Sequence, residues 1–327
     1  MQAIILYIIY LILISMLGIV VHELGHLFFG FLSGYSFSKF SVWRFHWFKE
    51  EEKLRFAFSK SPFDGQCLMS PPKEFEKFRF LLYNLGGGLV NFAFALAFLP
   101  LLTLESPLSF AVAMVFIMFS QAIMSLVPFG RKIPNDGLNV IKALESQNAK
   151  RAFYNIFRAH ARLLSGETYA DFEENFFDMP EGENVNNYLI ATSISCKAEQ
   201  LDYLGRHEEA ALEFERLTSA KLDKFPTIYA LEMKMALIGF YLMTKKDIAP
   251  AYGRQAATDL AQNALVKGEL NGGNPAYAAI RAAYAFFVNA DKDRALALLD
   301  VDCGNLPKGH RIMVERDICK LRGLIES

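Results

Sequence analysis

The hydrophobic pattern divides the chain into an apolar part and a mixed part. Residues 1–38 carry one charged side chain, Glu23, and Phe80–Leu104 and Ser106–Gly130 carry none. Each run exceeds the roughly 20 apolar residues that a helix needs to cross a bilayer. Three spans are therefore predicted, at about 3–32, 82–104 and 107–129. Between the first two the period changes to two: Trp43, Phe45 and Trp47 alternate, and Leu54, Phe56 and Phe58 do the same after a Lys-Glu-Glu-Glu-Lys turn. Such alternation predicts a β-hairpin, at about 38–60. The run Ser61-Pro62-Phe63-Asp64-Gly65 and the pair Pro71-Pro72 are expected to break regular structure before the second span.

From about Leu138 the pattern becomes that of a soluble helical domain. Leu204–Phe214 and Ala290–Leu299 read as helix–turn–helix starts with small residues at packing positions, and Thr227–Met243 and Ala249–Leu265 as a further helical pair. A spacing of roughly 40 is similar to tetratricopeptide (TPR) arrays, whose period is about 34, with an ordinary helical bundle as the alternative. The expected fold is mainly α: a polytopic membrane domain over 1–140 with three core transmembrane helices and a β-hairpin, then a soluble α-helical, TPR-like domain over 141–327.

Composition locates the excess of apolar residues without changing this division. The chain is 53% hydrophobic with 30 Phe, and its formal charge is −1, which gives no basic field and argues against nucleic acid as a partner. Four cysteines, Cys67, Cys196, Cys303 and Cys319, form no CxxC pair and read as free thiols. The N-terminal run lacks a basic region and a small-residue cleavage site, so it reads as a retained span. Lys39, Arg44, Lys49, Lys53, Arg55, Lys60, Lys73, Lys77 and Arg79 crowd the first loop, whereas Glu105-Ser106-Pro107 has no basic residue. The bias of basic residues towards the cytosol places that loop and everything after Gly130 inside, with the N-terminus outside. Free thiols agree with a reducing compartment. A bacterial cytoplasmic membrane is the expected location, from the compact form of the membrane domain.

The candidate chemistry lies inside the first apolar run, at His22-Glu23-Leu24-Gly25-His26. Positions i and i+4 share a helix face, so His22 and His26 can present imidazoles to one Zn²⁺ while Glu23 serves as general base towards a water polarised by the metal. Ionisable groups inside a span are costly and are by default functional. A catalytic zinc keeps three protein ligands, and the nearest acidic group after the third span is in Pro134-Asn135-Asp136-Gly137. The competing reading is a turn in which Asn135 or Asp136 caps the following helix. His46 reads as interfacial packing, and His160, His207 and His310 as surface or capping residues.

HELGH in a first span, a glycine-rich second span with Asn and an Asp-Gly after a third resemble the site-2 protease family, the intramembrane zinc metalloproteases. The resemblance covers roughly residues 1–140. It implies that His22, His26 and Asp136 bind zinc and that Glu23 is the catalytic acid and base. Gly87-Gly88-Leu89-Val90-Asn91 is similar to the family's GxxxN element, which implies substrate-binding roles for Gly87, Gly88 and Asn91, the asparagine bonding the substrate backbone or a developing oxyanion. A small-residue packing motif is the alternative for that element. The chain has Pro-Asn-Asp-Gly where many members have Asn-Pro-Asp-Gly or Leu-Asp-Gly, and Ser125-Leu126-Val127-Pro128 where Asn-Leu-x-Pro is common. It has neither a PDZ-like insert nor a CBS-like C-terminal half. The resemblance also gives the hairpin, with Phe56 and Phe58, the task of clamping an unwound substrate by strand addition. The implied partners are a transmembrane or membrane-associated peptide substrate and the lipid bilayer, with a protein partner docking on the helical domain. Two alternatives are a membrane-anchored helical-repeat scaffold with a vestigial metal site and a membrane zinc protease of another clan with a glutamate third ligand.

Overall fold

The structure is a computed structural model. It describes residues 2–51, 53–103, 110–244 and 253–326. Two compact units, Met1–Glu145 and Ser146–Ser327, divide the chain.

The first unit opens with α1, Gln2–Leu32, a 31-residue helix. It stops where Gly34, at φ +79°, turns the chain left-handed, a conformation open to glycine at little cost. An antiparallel hairpin follows, β1 (Ser36–Glu50) and β2 (Lys53–Ser70). Both strands extend beyond the expected hairpin, and β2 continues through Ser61–Gly65, where a break was expected. The register absorbs the irregularity instead, with shifts between Phe37 and Lys39, Val42 and Trp43, and Trp43 and Phe45. Trp43 takes a positive φ of 52°, as a residue in a bulge can. The bulges divide the hairpin. Near its base Ser41, Val42, Cys67 and Met69 are buried, whereas Phe45, Leu54, Phe56 and Phe58 in its outer half are exposed. The predicted alternation holds in that outer half, where Phe45 faces Phe58 and Trp47 faces Phe56.

A 3-10 turn at Phe75–Lys77 leads into α2, Phe80–Phe98, which runs on into a second such turn at Leu99–Thr103. Next come α3 (Phe110–Leu126) and α4 (Asp136–Leu144). Ile4–Leu32 and Phe75–Thr103 are long and apolar enough to cross a membrane, whereas Phe110–Leu126 is apolar but shorter. The expected third span is thus described only over those residues, and the connection Glu105-Ser106-Pro107 lies outside the described residues. Helices α1, α2 and α3 share a core of Ile14, Ala95, Ala113, Met114, Ile117 and Met118.

Among the described residues the second unit has helices and connecting segments but no strand: α5 (Gln147–Ser165), α6 (Tyr188–Tyr203), α7 (His207–Arg216), α8 (Thr227–Met243), α9 (Gly253–Ala261), α10 (Ala264–Asn271), α11 (Ala278–Phe287), α12 (Lys292–Leu298) and α13 (Lys308–Glu326). The pairs α6/α7 and α11/α12 are the helix–turn–helix elements expected from the sequence, turning at Gly205 and Ala290, both at positive φ. The helix expected over Ala249–Leu265 is divided, because Asn263 accepts a hydrogen bond from Leu265 N and starts α10; residues 245–252 lie outside the description. Nor is the unit a simple stack of repeats, in which each pair meets only its neighbours. Helix α13 returns to pack on α5.

Within this unit α6 carries Glu199, which accepts hydrogen bonds from Tyr169 (3.2 Å) and Ser195 (3.3 Å). Burial pushes its carboxyl up to about 7, against the pull of the Tyr169 hydroxyl and with help from Glu232. A carboxyl raised on folding stabilises the folded state below its unfolded pKa and loses that contribution as pH rises through about 7. The thermal midpoint of the helical unit is therefore expected to be higher at pH 5 than at pH 8 through this group. Glu199→Gln should flatten the difference in differential scanning calorimetry across that pH range.

Candidate metal centre

Helix α1 places His22 and His26 one turn apart, with their Nε2 atoms 3.0 Å from each other. Asp136, at the start of α4, brings Oδ2 to 3.3 Å from His22 Nε2 and 3.5 Å from His26 Nε2. A tetrahedral ion with ligand bonds of 2.0–2.1 Å spaces its donors about 3.3–3.4 Å apart, so the three atoms fit one face of such a coordination sphere. His26 is buried, and its Nδ1–H donates to the Tyr83 carbonyl at 2.8 Å. That bond fixes the tautomer and leaves Nε2 with its lone pair towards the other donors. Glu23, next in sequence to His22, is buried as well. Its carboxylate takes a hydrogen bond from the backbone of Cys67 on β2.

Asp136 is held by a clamp that frees it from capping. Asn135 caps α4, its Oδ1 accepting from Leu138 N at 2.9 Å and from Phe129 N at 3.2 Å. Its Nδ2 donates to the carbonyls of Met124 (2.7 Å) and Val127 (2.6 Å) at the end of α3. All four bonding positions of the amide are used, and the carboxylate beside it turns to the imidazoles. Ser125 completes the arrangement by donating to Asp136 Oδ2 at 2.6 Å. Gly137 lies against the Leu126 carbonyl, 2.1 Å from where a Cβ would stand, so no other residue permits this approach of α4 to α3.

Three consecutive glycines on α2 each meet a different neighbour. A Cβ on Gly86 would lie 2.9 Å from the Gly25 carbonyl, and one on Gly87 2.6 Å from the Nε2 atoms of both His22 and His26. One on Gly88 would lie 2.7 Å from Leu126 on α3. Gly87 thus lies against both imidazoles, whereas Gly88 lies against Leu126 of α3. Asn91 is fully buried and donates to Gln121 Oε1 at 3.2 Å, and Gln121 in turn donates to the Ser15 carbonyl at 3.0 Å. Asn91 Oδ1 has no hydrogen-bond partner among the described residues. Phe56 and Phe58 stand on the exposed outer half of the hairpin, against Trp47 and Phe45.

Several residues of the site were missed in the sequence: Tyr83, Ser125, Gln121 and Gly65. Tyr83 is the most connected. Beyond its carbonyl, its hydroxyl donates to the Cys67 carbonyl at 2.5 Å. The available signal was its polar tip inside an uncharged span.

The family model described as Peptidase family M50 matches residues 9–260, and the chain belongs to that family of membrane metalloproteases. No curated protein and no solved structure matches the chain.

Two adjacent glycine substitutions should have different consequences. Gly87→Ala, with its methyl group driven against both imidazoles, is expected to lower metal content per chain at least ten-fold by elemental analysis. Gly88→Ala should keep the metal and lower thermal stability in detergent, by about 1–3 kcal/mol as overpacking does.

Proposed function

We propose that this member of the family is a zinc endopeptidase that hydrolyses transmembrane or membrane-associated peptides near the cytosolic leaflet. The observation that carries the reading is the donor face of His22, His26 and Asp136 with a buried carboxylate, Glu23, beside it in an apolar helix assembly. Two imidazoles and one carboxylate suit a catalytic zinc. The ion, when bound, supplies Lewis-acid polarisation of a water and of the scissile carbonyl. Glu23 would accept a proton from the attacking water and return it to the leaving amine. Tyr83 and Ser125 would keep the His26 and Asp136 donors in place. Asn91, with a buried and unpartnered Oδ1, would accept a substrate backbone N–H.

A peptide entering as a helix has its amides bonded internally, and hydrolysis needs it extended. An edge of the hairpin would supply replacement bonds, with Phe56 and Phe58 gripping side chains. In this reading three spans, the third including Phe110–Leu126, hold the catalytic domain over 1–140, with the N-terminus outside. The remaining helical residues, 141–327, lie in the cytosol and dock a protein partner, α6/α7 and α11/α12 being TPR-like pairs.

The test is reconstituted cleavage of a single-span peptide, with metal measured in the same preparations. Glu23→Gln should retain about one zinc per chain and lower kcat by about 10²–10⁴. His22→Ala and Asp136→Ala should lose the zinc. Unchanged cleavage in Glu23→Gln, or an unaltered protein that binds no zinc, would overturn the proposal. Phe56→Pro with Phe58→Pro should raise KM several-fold and leave zinc content intact; an unchanged KM would remove the hairpin from substrate binding.

A further inference from the structure

Where α1 ends and α2 begins, a cavity of about 490 Å³ is lined by Leu32, Ser33, Lys73, Glu74, Lys77 and Arg79, among others. We propose that it binds the phosphodiester headgroup of an anionic phospholipid. Three cations face a single carboxylate, and Glu74 lies 3.6 Å from Lys77, which leaves the site net positive. Arg79 is also the N-cap residue of α2, whose positive end adds to the field at this position.

Ser33 gives an independent sign of an absent partner. Its side chain is 5% exposed, and Oγ has no hydrogen-bond partner among the described residues, although it lines the cavity. A buried hydroxyl without a partner is costly, and a phosphate oxygen would satisfy it. Apolar surface adjoins the basic group: Phe28, Phe31 and Leu32, on the last turns of α1, are exposed. A lipid offers both halves of this pattern, an anionic group for the cations and acyl chains for the apolar turns. Free inorganic phosphate offers only the first. The cavity lies at the end of Ile4–Leu32, where the apolar run meets the basic loop, so a lipid needs no displacement from the bilayer to reach it. The proposal depends on α1 and α2 meeting a bilayer and not on the proteolytic reading, and its readout is binding.

Delipidated full-length protein in detergent would be titrated with phosphatidylglycerol, phosphatidylcholine or inorganic phosphate, and retained lipid counted by native mass spectrometry. Saturable retention of about one phosphatidylglycerol, unaffected by millimolar phosphate and weakened about ten-fold or more in K73Q/K77Q/R79Q, is the expected result. The charge-conserving K73R/K77R should bind as the unaltered protein does, and S33A should weaken binding with no loss of thermal stability in lipid-free detergent. Equal retention of phosphatidylcholine, or undiminished binding by the triple variant with its fold intact, would overturn the site. Full competition by phosphate would overturn the lipid as its occupant.

Discussion

Donor atoms from two distant segments must meet within 3.5 Å inside a bundle that lacks the usual driving force for helix association. Lipid tails are as apolar as leucine, so helices in a membrane are held by close packing and by hydrogen bonds between them. Glycine supplies the packing here. The backbones of α1 and α2 approach at Gly25 and Gly86, the imidazoles rest against Gly87, and α3 is reached through Gly88. A side chain at Gly25, Gly86 or Gly87 would widen the α1–α2 interface by more than a metal coordination sphere tolerates. The glycine-rich segment of α2 is therefore a distance constraint on the donor atoms.

Hydrogen bonds then convert proximity into orientation. Tyr83 is the common point: its carbonyl fixes His26, and its hydroxyl holds the carbonyl of Cys67, whose backbone also bonds the Glu23 carboxylate. One side chain thus links a donor, the hairpin and the proposed base. Asn135 performs the same office on the opposite side, tying the end of α3 to the start of α4 so that Asp136 needs no capping role. The bonds made by Tyr83, and the one from Asn135 to Met124, each join two different elements of the unit. Removing one leaves a polar group in apolar surroundings, which costs more than the bond itself was worth.

What was legible in the sequence was local. His22 and His26 could be paired because helical periodicity alone puts them together, and α8 could be bounded as Thr227–Met243 because its apolar run is interrupted only by Glu232 and Lys234. Asp136 could be approached only by adjacency and by resemblance, since no period relates it to α1. The hairpin's alternation was visible, but its length was not: Pro62 and Gly65 read as breakers, and register shifts opposite Val42, Trp43 and Phe45, where β2 carries the extra residues, accommodate them. The divided helix at Asn263 carried one capping residue in an otherwise unbroken pattern. Tyr83 was hidden for a more general reason. The atom it gives to His26 is a backbone carbonyl, which every residue possesses, so the side-chain pattern contains no trace of it.

The strand that lies over the site shows why a hairpin belongs beside this metal centre. A Cβ on Gly65 would stand 2.6 Å from Glu23 Oε1, so β2 reaches the carboxylate only because this position has no side chain. Val42 pairs with Gly65 and Trp43 with Phe63, with a register shift between the two pairs. A strand held against a buried acid in low-dielectric surroundings has backbone groups that water satisfies poorly, and an edge in that state favours another extended segment. On the proteolytic reading the incoming substrate has the complementary need, having given up its helical bonds. On that reading the glycine that brings the strand to Glu23 would also bring the substrate's backbone to the proposed base, and strand addition and proton transfer would be two consequences of a single close approach.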